Sequence, residues 1–100
     1  MENIYSQETL KKCLHPVFQR YGIKNAILFG SYGKGTATEH SDVDLLVDSG
    51  LKGLRFIGLI EDVRTALDGK EVDLFDISHI EKGSRIESEI RETGVLLYEK

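Results

Sequence analysis

The sequence predicts an α/β fold, a single small domain in which a mixed sheet of about four strands is covered by helices. One reason is that short apolar stretches with the two-residue alternation of strands take turns along the chain with stretches that have the three- and four-residue spacing of helices. Another is that the chain has 100 residues, of which 40% are hydrophobic and 30% charged. That length and composition are typical of one globular domain, so we predict one domain over residues 1–100.

The chain begins with a predicted amphipathic helix over residues 6–21. Its apolar residues recur three and four positions apart, Ser6 is a suitable N-cap, and Gly22 offers a helix end. Because Pro16 lacks a backbone N–H and its ring would press on a carbonyl one turn earlier, we expect a kink or a break there. A short apolar run over residues 25–29 follows and predicts a buried strand.

A polar segment and a second strand come next. Residues 30–41 are polar and glycine-rich, which predicts a loop or a loop with one helical turn. In residues 42–48 the apolar positions Val43, Leu45 and Val47 alternate with a second, more polar set, which predicts a strand. Because the segment before this strand is too short and too polar for a full crossover helix, we expect mixed strand directions in the sheet.

Further elements complete the predicted fold. They are a helix over 54–67 through Ile57, Ile60, Val63 and Leu67, a turn at Asp68 and Gly69, a strand over 71–77, a helix over 84–92 and a short edge strand over 95–98. The sequence shows no internal repeat, linker or second domain.

Charge and cysteine content exclude several classes of function. The formal net charge is -4, whereas sequence-independent nucleic-acid binding draws mainly on Lys and Arg, so we expect no direct nucleic-acid binding. Cys13 is the single cysteine, which excludes an internal disulfide or a cysteine zinc site and favours a place in the core. No apolar run approaches the roughly 20 residues of a membrane span, and no signal pattern is visible, so we expect a cytoplasmic protein.

Aspartates in the second and third predicted strands are candidate metal ligands. Asp42 and Asp44 stand two positions apart, so their side chains project to the same face of the strand. Like charges that close repel each other, and Mg²⁺, which prefers oxygen ligands, would relieve the repulsion. Asp73 is the third candidate, with Glu71 and Asp76 as nearby alternatives. The structural alternative for an isolated pair of this kind is the solvated face of a half-buried strand.

A glycine and a serine precede the acidic pair. Gly30 and Ser31 follow directly on the apolar run 25–29. The glycine permits close backbone approach, while exposed N–H groups and the serine hydroxyl can bind phosphate oxygens. A tight turn is the alternative. The sequence thus places a candidate phosphate site and a candidate metal site a few residues apart.

Together these residues resemble the signature of the nucleotidyltransferase superfamily that includes DNA polymerase beta. That signature is Gly-Ser, a spacer and then Asp-x-Asp, and here ten residues separate Ser31 from Asp42. The resemblance is strongest to the minimal nucleotidyltransferases, whose motif runs Gly-Ser-x-Ala-Arg-Gly and later Ser-Asp-x-Asp-Leu. This chain departs from it at Gly33, where the family usually has Ala, and at Lys34, where it usually has Arg. Lysine keeps the charge but loses the bidentate geometry of arginine.

The resemblance implies a role for each motif residue. The residues that would bind the nucleotide are Gly30, Ser31 and Lys34. The residues that would be catalytic and would bind divalent metal are Asp42, Asp44 and Asp73. The implied chemistry uses two Mg²⁺ ions and ATP, with attack of an acceptor hydroxyl on the α-phosphorus and loss of pyrophosphate.

The resemblance also implies a partner. Minimal nucleotidyltransferases commonly act as antitoxins of helical HEPN toxins, so the expected activity is transfer of AMP to a hydroxyl of such a toxin, a tyrosine by resemblance, within a hetero-oligomer. A chain of 100 residues leaves no room for an acceptor-binding domain, so the acceptor is expected on another molecule. Two alternatives stay open: an antitoxin that acts by contact alone, and an adenylyltransferase for a small molecule such as an aminoglycoside.

The remaining polar and aromatic residues have less specific roles. The three histidines, at positions 15, 40 and 79, lack the spacing of metal ligands. The role of Tyr32 is left open: its side chain either contacts a nucleotide or a partner, or is simply exposed. The acidic residues of the last predicted helix, Glu87, Glu89 and Glu92, are expected to form a solvated face.

Overall fold

The computed structural model describes residues 4–100, and its strands form one mixed sheet. The strands are β1 (Asn25–Phe29), β2 (Val43–Asp48), β3 (Val72–Asp76) and β4 (Val95–Glu99). The sheet order is β3-β2-β1-β4, in which β1 runs antiparallel to β2 and β4, whereas β2 and β3 are parallel. The predicted α/β fold with mixed strand directions is confirmed.

Helices connect the strands of this sheet. The α-helices within residues 4–100 are α1 (Gln7–Tyr21), α2 (Gly30–Lys34), α3 (Leu54–Ala66) and α4 (Arg85–Thr93), and a 3-10 helix spans Ile77–His79. Helix α2 is the single turn expected within the polar segment, and α3 is the crossover between the parallel strands β2 and β3. In this part of the chain no helix has the length and apolar character needed to cross a membrane.

Helix α1 begins and ends where its sequence predicts. The Ser6 side chain accepts a hydrogen bond from the Thr9 N–H at 3.0 Å. Gly22 ends the helix at φ 68°, in the left-handed region that favours glycine. Of the kink or break expected at Pro16, the break is wrong, because the helix continues through this residue. Pro16 lies on the exposed face, where water can bind the carbonyl that loses its partner, while buried neighbours such as Phe18 hold the helix on the sheet.

The hydrophobic core lies between one face of the sheet and helices α1 and α3. Val43, Leu45 and Val47 are fully buried there, as their alternation predicts. The apolar face predicted for helix α3 is confirmed at Val63 and Leu67, which are buried, but Leu59 is also fully buried while Ile57 is 53% exposed. The apolar spacing in α3 allows more than one face to pack inward, and contact with α1 and the sheet selects the face that carries Leu59.

The opposite face of the sheet carries both apolar and acidic side chains. Residues of β2 alternate, so Asp44 and Leu46 lie on the face away from the main core. The ring of Phe29 contacts that of Phe75 on this side, with centroids 6.1 Å apart. Helix α4 packs against β1 and α2, but none of its residues is buried. Asp73 on this face stays exposed, so the face is only partly covered.

Candidate active site

The centre of the candidate site is a pair of aspartates on neighbouring strands. The parallel register of β2 and β3 places Asp44 directly beside Asp73. Burial, followed by the charges of Asp73 and Glu89 and by a hydrogen bond to the Asp73 carboxyl, raises the pKa of Asp44 to about 7. Two carboxylates side by side repel each other, and a divalent cation would remove that repulsion.

Asp42 stands at the edge of this pair. It immediately precedes β2, it is exposed, and it raises the pKa of Asp44 less than Asp73 does. Among residues 4–100 no group of three or more His, Cys, Asp or Glu side chains is already arranged to hold a metal ion. Joint metal binding by Asp42, Asp44 and Asp73 therefore stays a prediction.

The structure separates Asp73 from both alternatives for the third acid. Glu71 is exposed and forms an ion pair of 3.0 Å with an arginine of α3. Asp76 is buried further along β3, where both of its carboxylate oxygens accept hydrogen bonds from two serines. Asp73 alone among these three is in register with Asp44, so the geometry favours it for the third acid.

Gly30 lies directly against Asp44. Its φ of 72° is in the left-handed region that favours glycine, and a Cβ at this position would press against the Asp44 carboxylate. The Gly30 N–H is not among the exposed N–H groups expected in this segment, because it donates a hydrogen bond to the Thr93 Oγ1 at 2.8 Å. Gly30 therefore makes room for Asp44, and its own N–H is already used within the protein.

An open cleft lies beside the aspartate pair. Its volume is about 320 Å³, and its lining residues are Gly30, Ser31, Lys34, Thr36, Glu89, Glu92 and Thr93. Ser31 and Lys34 lie on α2, which begins directly at the end of β1. Within residues 4–100 the Lys34 ammonium has no ion-pair partner, so its charge can act on an anion. The structure thus brings the three residues predicted to bind nucleotide into one cleft.

Helix α4 contributes a site residue that the sequence pattern did not indicate. Glu89 was predicted on a solvated helix face, but its Oε1 lies 3.5 Å from the position that a Cβ would take on Gly30. The charge of Glu89 also raises the pKa of Asp44, and it does so more than the charge of Asp42 does. No local signal marks Glu89, because it is far from the motif in sequence and reaches the site only through the packing of α4 against α2 and β1.

Tyr32 and the histidines lie outside the cleft lining. Tyr32 is only 3% exposed and belongs to the core, so simple exposure is wrong for it, whereas contact with a nucleotide or partner stays a prediction. His15 packs edge-on against an aromatic ring of β4, and His40 is exposed. The Nδ1 of His79 accepts a hydrogen bond from the Asp76 N–H at 3.3 Å. These positions give the histidines packing, surface and capping roles.

The fold and the site together define a class of protein. A small mixed sheet that places paired carboxylates beside a Gly-Ser turn has the types of group that bind a metal-bound triphosphate. The family model described as polymerase beta, nucleotidyltransferase matches residues 12–100 of this chain. The chain belongs to this nucleotidyltransferase family, and the family and enzyme class predicted from the sequence are confirmed.

Two relatives carry more specific names. The chain is 34% identical over 74 residues to a Methanocaldococcus jannaschii protein whose assignment as a protein adenylyltransferase is provisional, and the match covers 71% of this chain and 77% of that protein. It is 43% identical over 67 residues to the protein adenylyltransferase MntA of Thermococcus cleftensis, over 65% of this chain and 67% of that protein. Both names place the relatives among enzymes that modify proteins.

The fold also matches a solved structure. A chain in the crystal structure of a toxin-antitoxin with AMP-PNP superposes with a TM-score of 0.74 at 23% identity, over 90% of this chain and 73% of that chain. At this level of identity the likeness establishes a shared fold. The predicted fold class is therefore supported by an independent structure.

Proposed function

We propose that this protein transfers AMP from ATP to a hydroxyl group of a partner toxin and thereby acts as its antitoxin. The observation that carries the proposal is the Asp44 and Asp73 pair, which lies beside the cleft formed by Gly30 and Ser31. This face of the sheet is only partly covered by α4. A partly covered face admits a protein side chain as acceptor, whereas an enclosed pocket would favour a small molecule.

The acidic residues fit a divalent metal. Asp42, Asp44 and Asp73 offer only carboxylate oxygens, which are the ligands that Mg²⁺ prefers. Burial raises the pKa of Asp44 most, and repulsion from the neighbouring carboxylates raises it further. A bound cation would replace that repulsion with attraction. A two-ion Mg²⁺ site supplies charge neutralisation at the phosphates and activation of an acceptor hydroxyl. We therefore propose these three residues as joint ligands.

Residues of the cleft would bind and orient the nucleotide. The Ser31 hydroxyl and the Lys34 ammonium line the cleft from α2, where one can donate a hydrogen bond and the other a charge-assisted hydrogen bond to phosphate oxygens. Gly30 keeps the backbone free of a side chain next to Asp44. Attack of the acceptor oxygen on the α-phosphorus of ATP forms the new P–O bond, the bond to pyrophosphate breaks, and the hydroxyl proton is released to solvent.

Support for a toxin partner comes from the comparisons. One relative is named a protein adenylyltransferase, and the structural neighbour is a toxin-antitoxin with AMP-PNP. The helical HEPN type of the toxin, a tyrosine as acceptor and a hetero-oligomeric complex rest on the resemblance carried by the motif. Cytoplasmic location is likewise part of the proposal.

Intact-mass spectrometry of the partner tests the proposed transfer. The partner that co-purifies with this chain from its native host would be incubated with the chain, ATP and Mg²⁺. We expect its mass to rise by one or more AMP groups and its toxicity to fall. The D42N/D44N/D73N variant should leave the mass unchanged, because it removes the carboxylates proposed to bind metal.

The same experiment separates the enzyme from an antitoxin that acts by contact. If binding alone silences the toxin, the wild type without ATP and the triple variant should neutralise it as well as the wild type with ATP. Full neutralisation of an unmodified partner would therefore rule out the proposed transfer.

A further inference from the structure

The cleft beside Gly30 contains more negative than positive charge. Its lining includes the carboxylates of Glu89 and Glu92 but one cationic side chain, that of Lys34. Glu92 is exposed, whereas Glu89 is half-buried and its Oε1 lies 3.5 Å from the position of a Cβ on Gly30. The same Cβ position adjoins the Asp44 carboxylate. Glu89 therefore faces the place where the motif would bind phosphates.

Glu89 is held there by the attachment of α4 to the Gly-Ser segment. The Thr93 Oγ1 donates a hydrogen bond to the Glu89 carbonyl at 2.8 Å and accepts one from the Gly30 N–H at 2.8 Å. The Thr93 carbonyl lies so close to Gly33 that a Cβ at Gly33 would overlap it. These contacts fix the backbone of Glu89 relative to Gly30, so the Glu89 carboxylate is held at the cleft.

A carboxylate in this place affects which form of a nucleotide can bind. A triphosphate is strongly anionic, and Lys34 can compensate only part of its charge. Repulsion between like charges a few ångströms apart in a partly buried site changes an affinity by on the order of tenfold. A divalent cation on the phosphates reverses the sign of the interaction, because the carboxylate then attracts the cation.

We propose that Glu89 restricts this cleft to nucleotides that carry a divalent cation. The inference rests on the proposed function, because it requires the nucleotide to bind in this cleft. Without a cation the Glu89 carboxylate repels the phosphates, and with a cation it favours the metal-nucleotide complex. Glu89 is a specificity-determining residue for the charge state of the substrate, and it takes no part in making or breaking bonds.

Isothermal titration calorimetry with AMP-PNP tests the proposal by comparing the wild type with Glu89→Gln. Glutamine has nearly the same shape and leaves intact the backbone carbonyl that Thr93 binds. In EDTA we expect the variant to bind AMP-PNP about tenfold more tightly than the wild type. In Mg²⁺ the variant should bind no more tightly than the wild type. A purely structural role of Glu89 would not produce a gain of affinity confined to the metal-free condition.

Glu92→Gln is the matched control, because Glu92 lines the same cleft from the same helix but is exposed. Screening by salt should keep its effect in EDTA below about threefold. The inference would be wrong if the wild type and Glu89→Gln bind AMP-PNP equally, or not at all, in EDTA. It would also be wrong if Glu89→Gln and Glu92→Gln gain the same affinity in EDTA. Either result would leave the proposed function standing. If the wild type fails to bind AMP-PNP even in Mg²⁺, both are wrong.

Discussion

At the residue scale, Asp44 and Asp76 show how the surroundings of a carboxyl group decide its use. Burial and then the charges of nearby carboxylates, those of Asp73, Glu89 and Asp42, raise the pKa of Asp44 to about 7. Burial would also raise the pKa of Asp76, but hydrogen bonds from Ser49 and Ser78 outweigh it and lower the pKa to about 2. A cation would therefore stabilise the charged form of Asp44. The hydrogen bonds of Asp76 come from the protein itself and connect the ends of β2 and β3.

Asp76→Asn should lower the free energy of unfolding by about 2 kcal/mol at neutral pH, because an amide cannot accept all the hydrogen bonds that the carboxylate accepts. Since the pKa of Asp76 is lowered on folding, its contribution is present above the unfolded-state pKa of about 3.9 and is lost as the pH falls toward about 2. Urea denaturation of both proteins over this range should show the difference shrinking with acidification. Glu71→Gln is the control at an exposed position, and it should change the free energy of unfolding by less than about 1 kcal/mol. An effect of Asp76→Asn that does not depend on pH would contradict a stabilising role of the Asp76 carboxylate.

At the scale of elements, the attachment of α4 shapes the cleft. The helix has no buried residue, yet Thr93 near its end bonds to Gly30 and packs against Gly33. A Cβ at Gly33 would also approach the Leu28 carbonyl to 2.9 Å. Gly33 stands where the family usually has Ala. Because Gly33 has no Cβ, α2 and the end of α4 can lie in close contact in this chain.

Thr93→Val tests this attachment. The substitution keeps the shape of the side chain but leaves the Gly30 N–H without its acceptor, so we expect a loss of about 1–3 kcal/mol in the free energy of unfolding. Urea denaturation measures the loss, and hydrogen exchange at the Gly30 amide should become faster. Thr93→Ser keeps the hydroxyl and is the control. If the valine variant matched the serine variant in both measurements, the hydrogen bond would have no stabilising role.

At the scale of the whole molecule, the fold concentrates negative charge on one face of the sheet. The chain has a formal net charge of -4, and the register of β2 and β3 brings Asp44 and Asp73 together despite their repulsion. The core on the other face supplies the apolar burial that makes this arrangement stable. A ligand that neutralises the acidic face should therefore stabilise the whole domain.

Differential scanning calorimetry should show this coupling. In EDTA the D42N/D44N variant should melt at a higher temperature than the wild type, because the variant lacks part of the repulsion, and about 1 kcal/mol corresponds to about 4–8 °C for a domain of this size. Adding Mg²⁺ should raise the melting temperature of the wild type and leave that of the variant unchanged. An equal rise in both proteins would place the stabilising ion elsewhere.

Much of this protein was predictable because the signals are local. Alternation and helical spacing report which side of an element faces the core, so the strands and helices could be located from residue order. The Gly30 and Ser31 turn and the Asp42 and Asp44 pair are close in sequence, and a strand places residues two apart on one face. Their spacing was therefore enough to indicate the family and to suggest the position of the candidate site.

Contacts between distant segments decided the remaining features, because periodicity along one element cannot specify its partner. The parallel register of β2 and β3 placed Asp73, and not its neighbours, beside Asp44. The packing of α4 brought Glu89 into the cleft and gave the Gly30 N–H an acceptor within the protein. Tertiary packing also buried Tyr32, which residue order alone left open. The sequence by itself determined the elements and the motif, whereas the long-range packing of those elements determined the charge that surrounds the motif.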